Sequence, residues 1–178
     1  MWYALKWFAV FVALGAAGVL IYAATLPDEF RVSRTAAINA PPEKIFPLID
    51  DLRIMNSWNP FAKSDPSIKI YYGPVTAGKG ANYSWTSNGR AGQGRMELTG
   101  STAPSEVNMM LHMEKPMEGH NKIVFALKPR GGVTDVSWTM TGDRPYIGKV
   151  LGVLFSMEKM VGEPFAQGLA DLKIMAEK

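Results

Sequence analysis

The sequence predicts an α+β domain of about 150 residues that follows a single membrane-spanning helix. Three observations carry that fold class. Residues 7–26 hold no charged side chain and end at the breaker Pro27-Asp28-Glu29. Between Ile68 and Met140 apolar and polar residues alternate with period two, as in an antiparallel sheet with one wet and one apolar face. After Gly142 the period turns helical, with Leu154, Met157, Val161, Phe165, Leu169 and Leu172 at three- and four-residue steps.

At about 1.5 Å per residue, residues 7–26 make a helix of roughly 30 Å, the thickness of a bilayer's hydrocarbon core. Trp2, Tyr3, Trp7 and Tyr22 stand near its ends, where aromatic belts meet headgroups. Small residues at Tyr22-Ala23-Ala24-Thr25 would also suit signal cleavage. The apolar stretch, however, is longer than the roughly 7–15 residues of a signal's apolar region, so an uncleaved anchor over residues 1–27 is expected. Lys6 marks one flank and Arg31 and Arg34 the other, so charge alone does not orient the helix. A very short leader usually stays cytoplasmic, which places the folded part, residues 28–178, on the extracytoplasmic side.

The first strand is expected over residues 30–39, ending at Ala40-Pro41-Pro42. Pro42 at a first helical position with Glu43 behind it starts a helix, and Ile45, Ile49 and Leu52 share one face. Pro47 shortens or bends that helix, with a break expected around residues 50–56 and Trp58-Asn59-Pro60 closing the segment. Ile68, Ile70 and Tyr72 then form a strand, and Ala81, Tyr83 and Trp85 the inward set of the next. Asn88-Gly89 is the dipeptide of a primed hairpin turn into Gly94, Met96 and Leu98. Strands through Val107 to Met113, Ile123 to Leu127 and Val136 to Met140 follow, the last two joined by Gly131-Gly132. Pro164 predicts a kink within the long C-terminal helix.

Composition excludes several classes of function. The formal charge is +3, or +2 without Lys6, and no basic run or basic-aromatic interleave occurs, which argues against a nucleic-acid partner. With no cysteine there is no disulfide, thiol nucleophile or thiolate metal site. His112 and His120 are the two histidines, one on the polar phase of a strand and one beside Gly119, without metal-ligand spacing. Asp50-Asp51 are adjacent on a helix end and do not face each other. Arg95 and Glu97 share a strand face that points outward, where an ion pair adds little stability. Gly92-Gln93-Gly94 lies between strands and not at a strand-to-helix turn, so it is no phosphate loop. No catalytic constellation, metal site or cofactor is expected.

Taken together, Ala40-Pro41-Pro42-Glu43-Lys44-Ile45-Phe46, Trp58-Asn59-Pro60, Gly94-Arg95-Met96-Glu97, Trp138-Thr139-Met140 and the C-terminal amphipathic helix resemble the START and birch-pollen-allergen superfamily, SRPBCC. The closest likeness is to its polyketide cyclase/dehydrase and lipid-transport branch, over residues 30–177. The resemblance implies a helix-grip fold, a curved sheet of about seven strands around a long C-terminal helix. It also implies a hydrophobic cavity for lipids, sterols, polyketides or other apolar molecules.

Periodicity sends Tyr83, Trp85, Met96, Met109, Leu111, Met113, Phe125, Trp138 and Met140 to the concave face, opposite Phe155, Met160 and Phe165 of the last helix. Each can be core or pocket lining. Eleven methionines suit an irregular apolar ligand. The expectation is a membrane-anchored protein that binds or carries an apolar small molecule or lipid. The alternatives are a cyclase- or dehydratase-like enzyme on such a substrate, or a module whose groove meets a partner protein. Residues 146–155, apolar on almost every side apart from Lys149, are expected to gate the cavity mouth near the membrane.

Overall fold

The computed structural model describes residues 2–89, 91–154 and 158–178. Helix α1 (Trp2–Thr25) is followed by strand β1 (Glu29–Ile38) and three short helices, α2 (Pro42–Asp50), α3 (Leu52–Trp58) and α4 (Pro60–Lys63). Six strands come next: β2 (Lys69–Tyr72), β3 (Asn82–Thr86), β4 (Gln93–Thr102), β5 (Glu106–Lys115), β6 (Gly119–Arg130) and β7 (Val133–Asp143). The C-terminal helical region comprises α5 (Tyr146–Leu154), a π-helical turn (Glu158–Gly162) and α6 (Glu163–Ala176).

All seven strands form one antiparallel sheet in the order β1-β7-β6-β5-β4-β3-β2. The first strand is thereby paired with the last, Glu29 opposite Asp143 and Ile38 opposite Thr134. Strand alternation sends one side of each strand to a shared concave face, over which α2, α3 and α6 lie. Gly131 and Gly132, at φ 60° and 88°, make the two-residue turn between β6 and β7.

Three local expectations are corrected. The helix break falls at Asp51 alone, because its carboxylate accepts hydrogen bonds from the backbone N–H of Arg53 and Ile54 and so starts α3 at once. Asn59 does the same for α4 through the N–H of Phe61. Asn88-Gly89 is not a two-residue turn: β3 ends at Thr86, β4 begins at Gln93, and the positive φ falls at Gly92. The third concerns Pro164. It sits in the first turn of α6 after the π-helical turn, where its missing N–H costs no helical bond.

Candidate functional site

The middle of the concave face is filled by rings. Trp138 of β7 stacks on Phe165 of α6 with centroids 3.9 Å apart and planes 12° from parallel. Trp58 of α3 meets both Trp138 and Phe125 of β6 edge-on, at 5.8 and 6.1 Å. Trp58 is fixed by a hydrogen bond from Nε1 to the Leu48 carbonyl, 2.8 Å. Trp138 Nε1 is buried and has no hydrogen-bond partner, an arrangement that leaves a donor unsatisfied in the core. Here Phe125, Trp138 and Phe165 serve as packing.

Burial then falls along several strands toward one end of the sheet. On β5, Val107 and Met109 are 0% and 1% exposed, whereas Leu111 and Met113 are half-buried. On β1 the burial of the inward residues does not fall steadily: Ile38 and Val32 are buried, while Ala36, Arg34 and Phe30 are half-buried. On β4 Leu98 is sealed while Met96 keeps slight exposure, and on β7 Val136 and Met140 repeat the pair. Register places these ends together: Phe30 faces Gly142, Val32 faces Met140, Asn121 faces Leu111, and Met96 lies between Leu111 and Tyr83. The concave face is therefore sealed at the α2 end and less covered, chiefly at Leu111, Met113 and Phe30, at the open end where β1 begins and β7 finishes.

One flank of the open end is aromatic. Tyr72, Tyr83 and Trp85 form a chain of tilted rings at 5.9 Å spacing, with the Arg53 guanidinium 4.4 Å above the Tyr72 ring. Burial, and then the neighbouring Tyr72, push the Tyr83 phenol well above its ordinary value, so it stays a neutral hydroxyl. Trp85 Nε1 donates to the Ala91 carbonyl at 2.9 Å. The Ala91 N–H in turn donates to Asp65, whose carboxylate also accepts from Ser87 Oγ at 2.6 Å, Ser67 Oγ at 2.7 Å and the Ser67 N–H at 3.0 Å. Those bonds, Ser87 foremost, hold the Asp65 carboxyl far below the usual carboxylate range. Asp65 thus positions Trp85 through Ala91, which both of them bond.

The sequence placed eight of its twelve site residues in the buried concave layer: Tyr83, Trp85, Met96, Met109, Phe125, Trp138, Met140 and Phe165. Leu111 and Met113 are the two half-buried members, at the open end. Met160 is a correction: at 58% exposed it faces outward, because it stands five residues before Phe165, about 140° round a regular helix, and so off the stripe of Val161 and Phe165 that turns inward. Phe155 lies outside the described residues. Two residues on this face were missed, Arg34 and Asn121. Arg34 stands directly opposite Trp138, and its Nη1 donates to the Ser33 carbonyl at 2.7 Å. The phase Phe30, Val32, Arg34, Ala36, Ile38 carried the signal, an arginine among apolar positions.

His112 and His120 are cross-strand partners on the outer face, Nδ1 to Nδ1 2.7 Å. Loss of solvent, Arg95 and then His120 lower the His112 pKa, against a smaller opposing effect of Glu97. Among the described residues no group of three or more potential metal ligands forms. Two surface hollows of about 190 and 360 Å³ flank α4 and α6. The first is bordered by Trp58 and by the Lys63–Asp171 ion pair at 2.6 Å, and no strand residue lines either of them.

The family model described as polyketide cyclase / dehydrase and lipid transport matches residues 29–177. Protein CV1439 from Chromobacterium violaceum is similar in structure, with a TM-score of 0.60 and 14% identity over 86% of this chain and 99% of that one. So is TTHA0849 from Thermus thermophilus, with a TM-score of 0.57 and 18% identity over 83% of this chain and 97% of that one. The Aha1 dimer from Colwellia psychrerythraea gives a TM-score of 0.59 at 18% identity, covering 83% of this chain and 96% of that one. At these identities the likeness is one of fold. No curated protein matches the sequence.

Proposed function

The chain belongs to the polyketide cyclase / dehydrase and lipid-transport family, and from that premise we propose that it binds an apolar small molecule in the open half of its concave face. The observation that carries this is the burial gradient, from Val107 and Met109 at the sealed end to Leu111 and Met113 at the open one. Met96, Met113 and Met140 supply adaptable apolar contact there, and Arg34 and Asn121 suit a polar end on the ligand. A lipid, sterol or polyketide-like molecule has that shape of chemistry. Helix α1, apolar over Lys6–Thr25 and exposed along most of that span, tethers the domain to a membrane, with the folded part on the extracytoplasmic side.

Mass spectrometry of compounds retained by the purified full-length chain tests the binding site. Wild-type protein should carry an apolar molecule, and Leu111→Trp, which fills the open end, should lose it while keeping its near-UV circular dichroism. Equal retention by both proteins, or none by wild type, refutes the site. Recovery of a chemically altered compound after loading a known one would move the reading from carriage to catalysis. For the topology, added protease should remove a tag placed after Lys178 in intact spheroplasts; protection of the tag reverses it.

A further inference from the structure

We infer that α5 is an interfacial helix that holds the open end of the concave face against the lipid surface, so that the bilayer itself covers it. This rests on the reading that α1 spans a membrane. Three contacts fix α5 and the turn before it to α1 and the loop that follows α1. The Tyr146 hydroxyl donates to the Leu20 carbonyl at 2.9 Å. The Lys149 ammonium, 7% exposed as a residue, pairs with Asp28 at 2.6 Å. The Arg144 N–H donates to the Asp28 carbonyl at 2.6 Å.

Depth follows from helix geometry. Leu20 precedes Thr25, the end of the apolar span, by five residues, which is about 7.5 Å along the axis. A bilayer that covers α1 to Thr25 therefore reaches the first turn of α5. That turn is built for it: Tyr146 and Ile147 are 49% and 58% exposed, continuous with exposed Leu20, Ile21 and Tyr22 of α1. An amphipathic helix rests with its apolar face about 5–10 Å into the headgroup boundary, and tyrosine belongs at that level. Lys149 is turned away to Asp28, and Arg144 folds along α5 toward Gly152, so cationic groups border the apolar surface without interrupting it. Because β7 ends at Asp143 and α5 begins at Tyr146, the lipid-facing helix adjoins the open row of Phe30, Gly142 and Asn121. An apolar ligand can then pass between bilayer and protein without crossing water.

The absence of cysteine permits single-site labelling. Full-length Ile147→Cys, Tyr22→Cys and Ser105→Cys, each carrying an environment-sensitive fluorophore, are reconstituted into vesicles of phosphatidylcholine and phosphatidylglycerol. At position 147, iodide quenching should be on the order of threefold weaker than at position 105, and a lipid bearing a quencher high on its acyl chain should quench it. Position 22 reports the tether separately. If 22 is lipid-quenched and 147 responds only to iodide, α5 does not touch the bilayer and the tether stands. If 22 also responds only to iodide, the tether fails and the inference falls with it. Shielding at 147 without lipid quenching means protein contact, which overturns it too.

Discussion

Gly168 sits in the middle of α6 against the sealed part of the core, and Gly168→Ala tests whether that part is as rigid as its ring packing implies. An added Cβ would lie 2.8 Å from Trp138 Cζ3 and 2.9 Å from Pro60 Cδ, inside the 3.4 Å at which ordinary contact begins. Alanine gains about 1 kcal/mol of helix propensity over glycine. Overpacking costs about 1–3 kcal/mol, and the upper part of that range applies when the neighbours cannot yield. Trp138 cannot swing away, being stacked on Phe165 at 3.9 Å and met edge-on by Trp58, and Pro60 is held in the first turn of α4. The balance is a loss of about 1–2 kcal/mol. For a domain of this size that lowers Tm by about 2–8 °C. The assay is thermal unfolding of the full chain in mild detergent, followed by near-UV circular dichroism of the tryptophans. Gly148→Ala is the control, since the nearest atom to its Cβ is 3.6 Å away. It should leave Tm unchanged or raise it by a few degrees, the equivalent of at most about 1 kcal/mol. A Gly168→Ala protein as stable as wild type would refute the rigid ring block, and the pocket would then extend into the ring-filled middle of the concave face.

Two further predictions concern titrating groups. The Asp65 carboxyl is depressed by its hydrogen bonds, so its contribution is fully present above the ordinary carboxylate value of about 3.9 and is lost only as pH falls through the lower folded value. Asp65→Asn should accelerate hydrogen exchange at Ser87, Gly89 and Ala91 at neutral pH while leaving residues 165–175 protected; unchanged exchange in the loop would show that Asp65 does not pin it. For His112 the folded pKa lies below the ordinary 6.5, because burial first and Arg95 next disfavour the imidazolium. Its neutral form therefore stabilises the fold above about pH 6.5, and that contribution fades as pH falls through the folded value. NMR titration should give a midpoint below 6.5 that rises in Arg95→Gln, and a midpoint at or above 6.5 in wild type would contradict the stated environment.

Alternation by itself determined which side of each strand faces inward, since a strand's period of two fixes the face of every residue once one is placed. Tyr83, Trp85, Met96, Met109, Phe125, Trp138 and Met140 reached the concave face for that reason, and a two-glycine turn after Arg130 left no other register for the last hairpin. Pro42 with Glu43, and the apolar run through residues 7–26, were likewise local signals with local consequences. What pattern could not decide is where along the shared face the packing stops. That depended on how α2, α3 and α6 cover the sheet, which brought Trp58 and Phe165 onto Trp138 and left Leu111 and Met113 beyond them. Arg34 was set among apolar partners by the pairing of β1 with β7, a contact across roughly a hundred residues of chain. The Tyr146–Leu20 bond joined segments near opposite ends of the sequence. Most of these are relations between elements distant in sequence, fixed by side-chain volume and hydrogen-bond geometry in three dimensions, and a one-dimensional period carries no term for them.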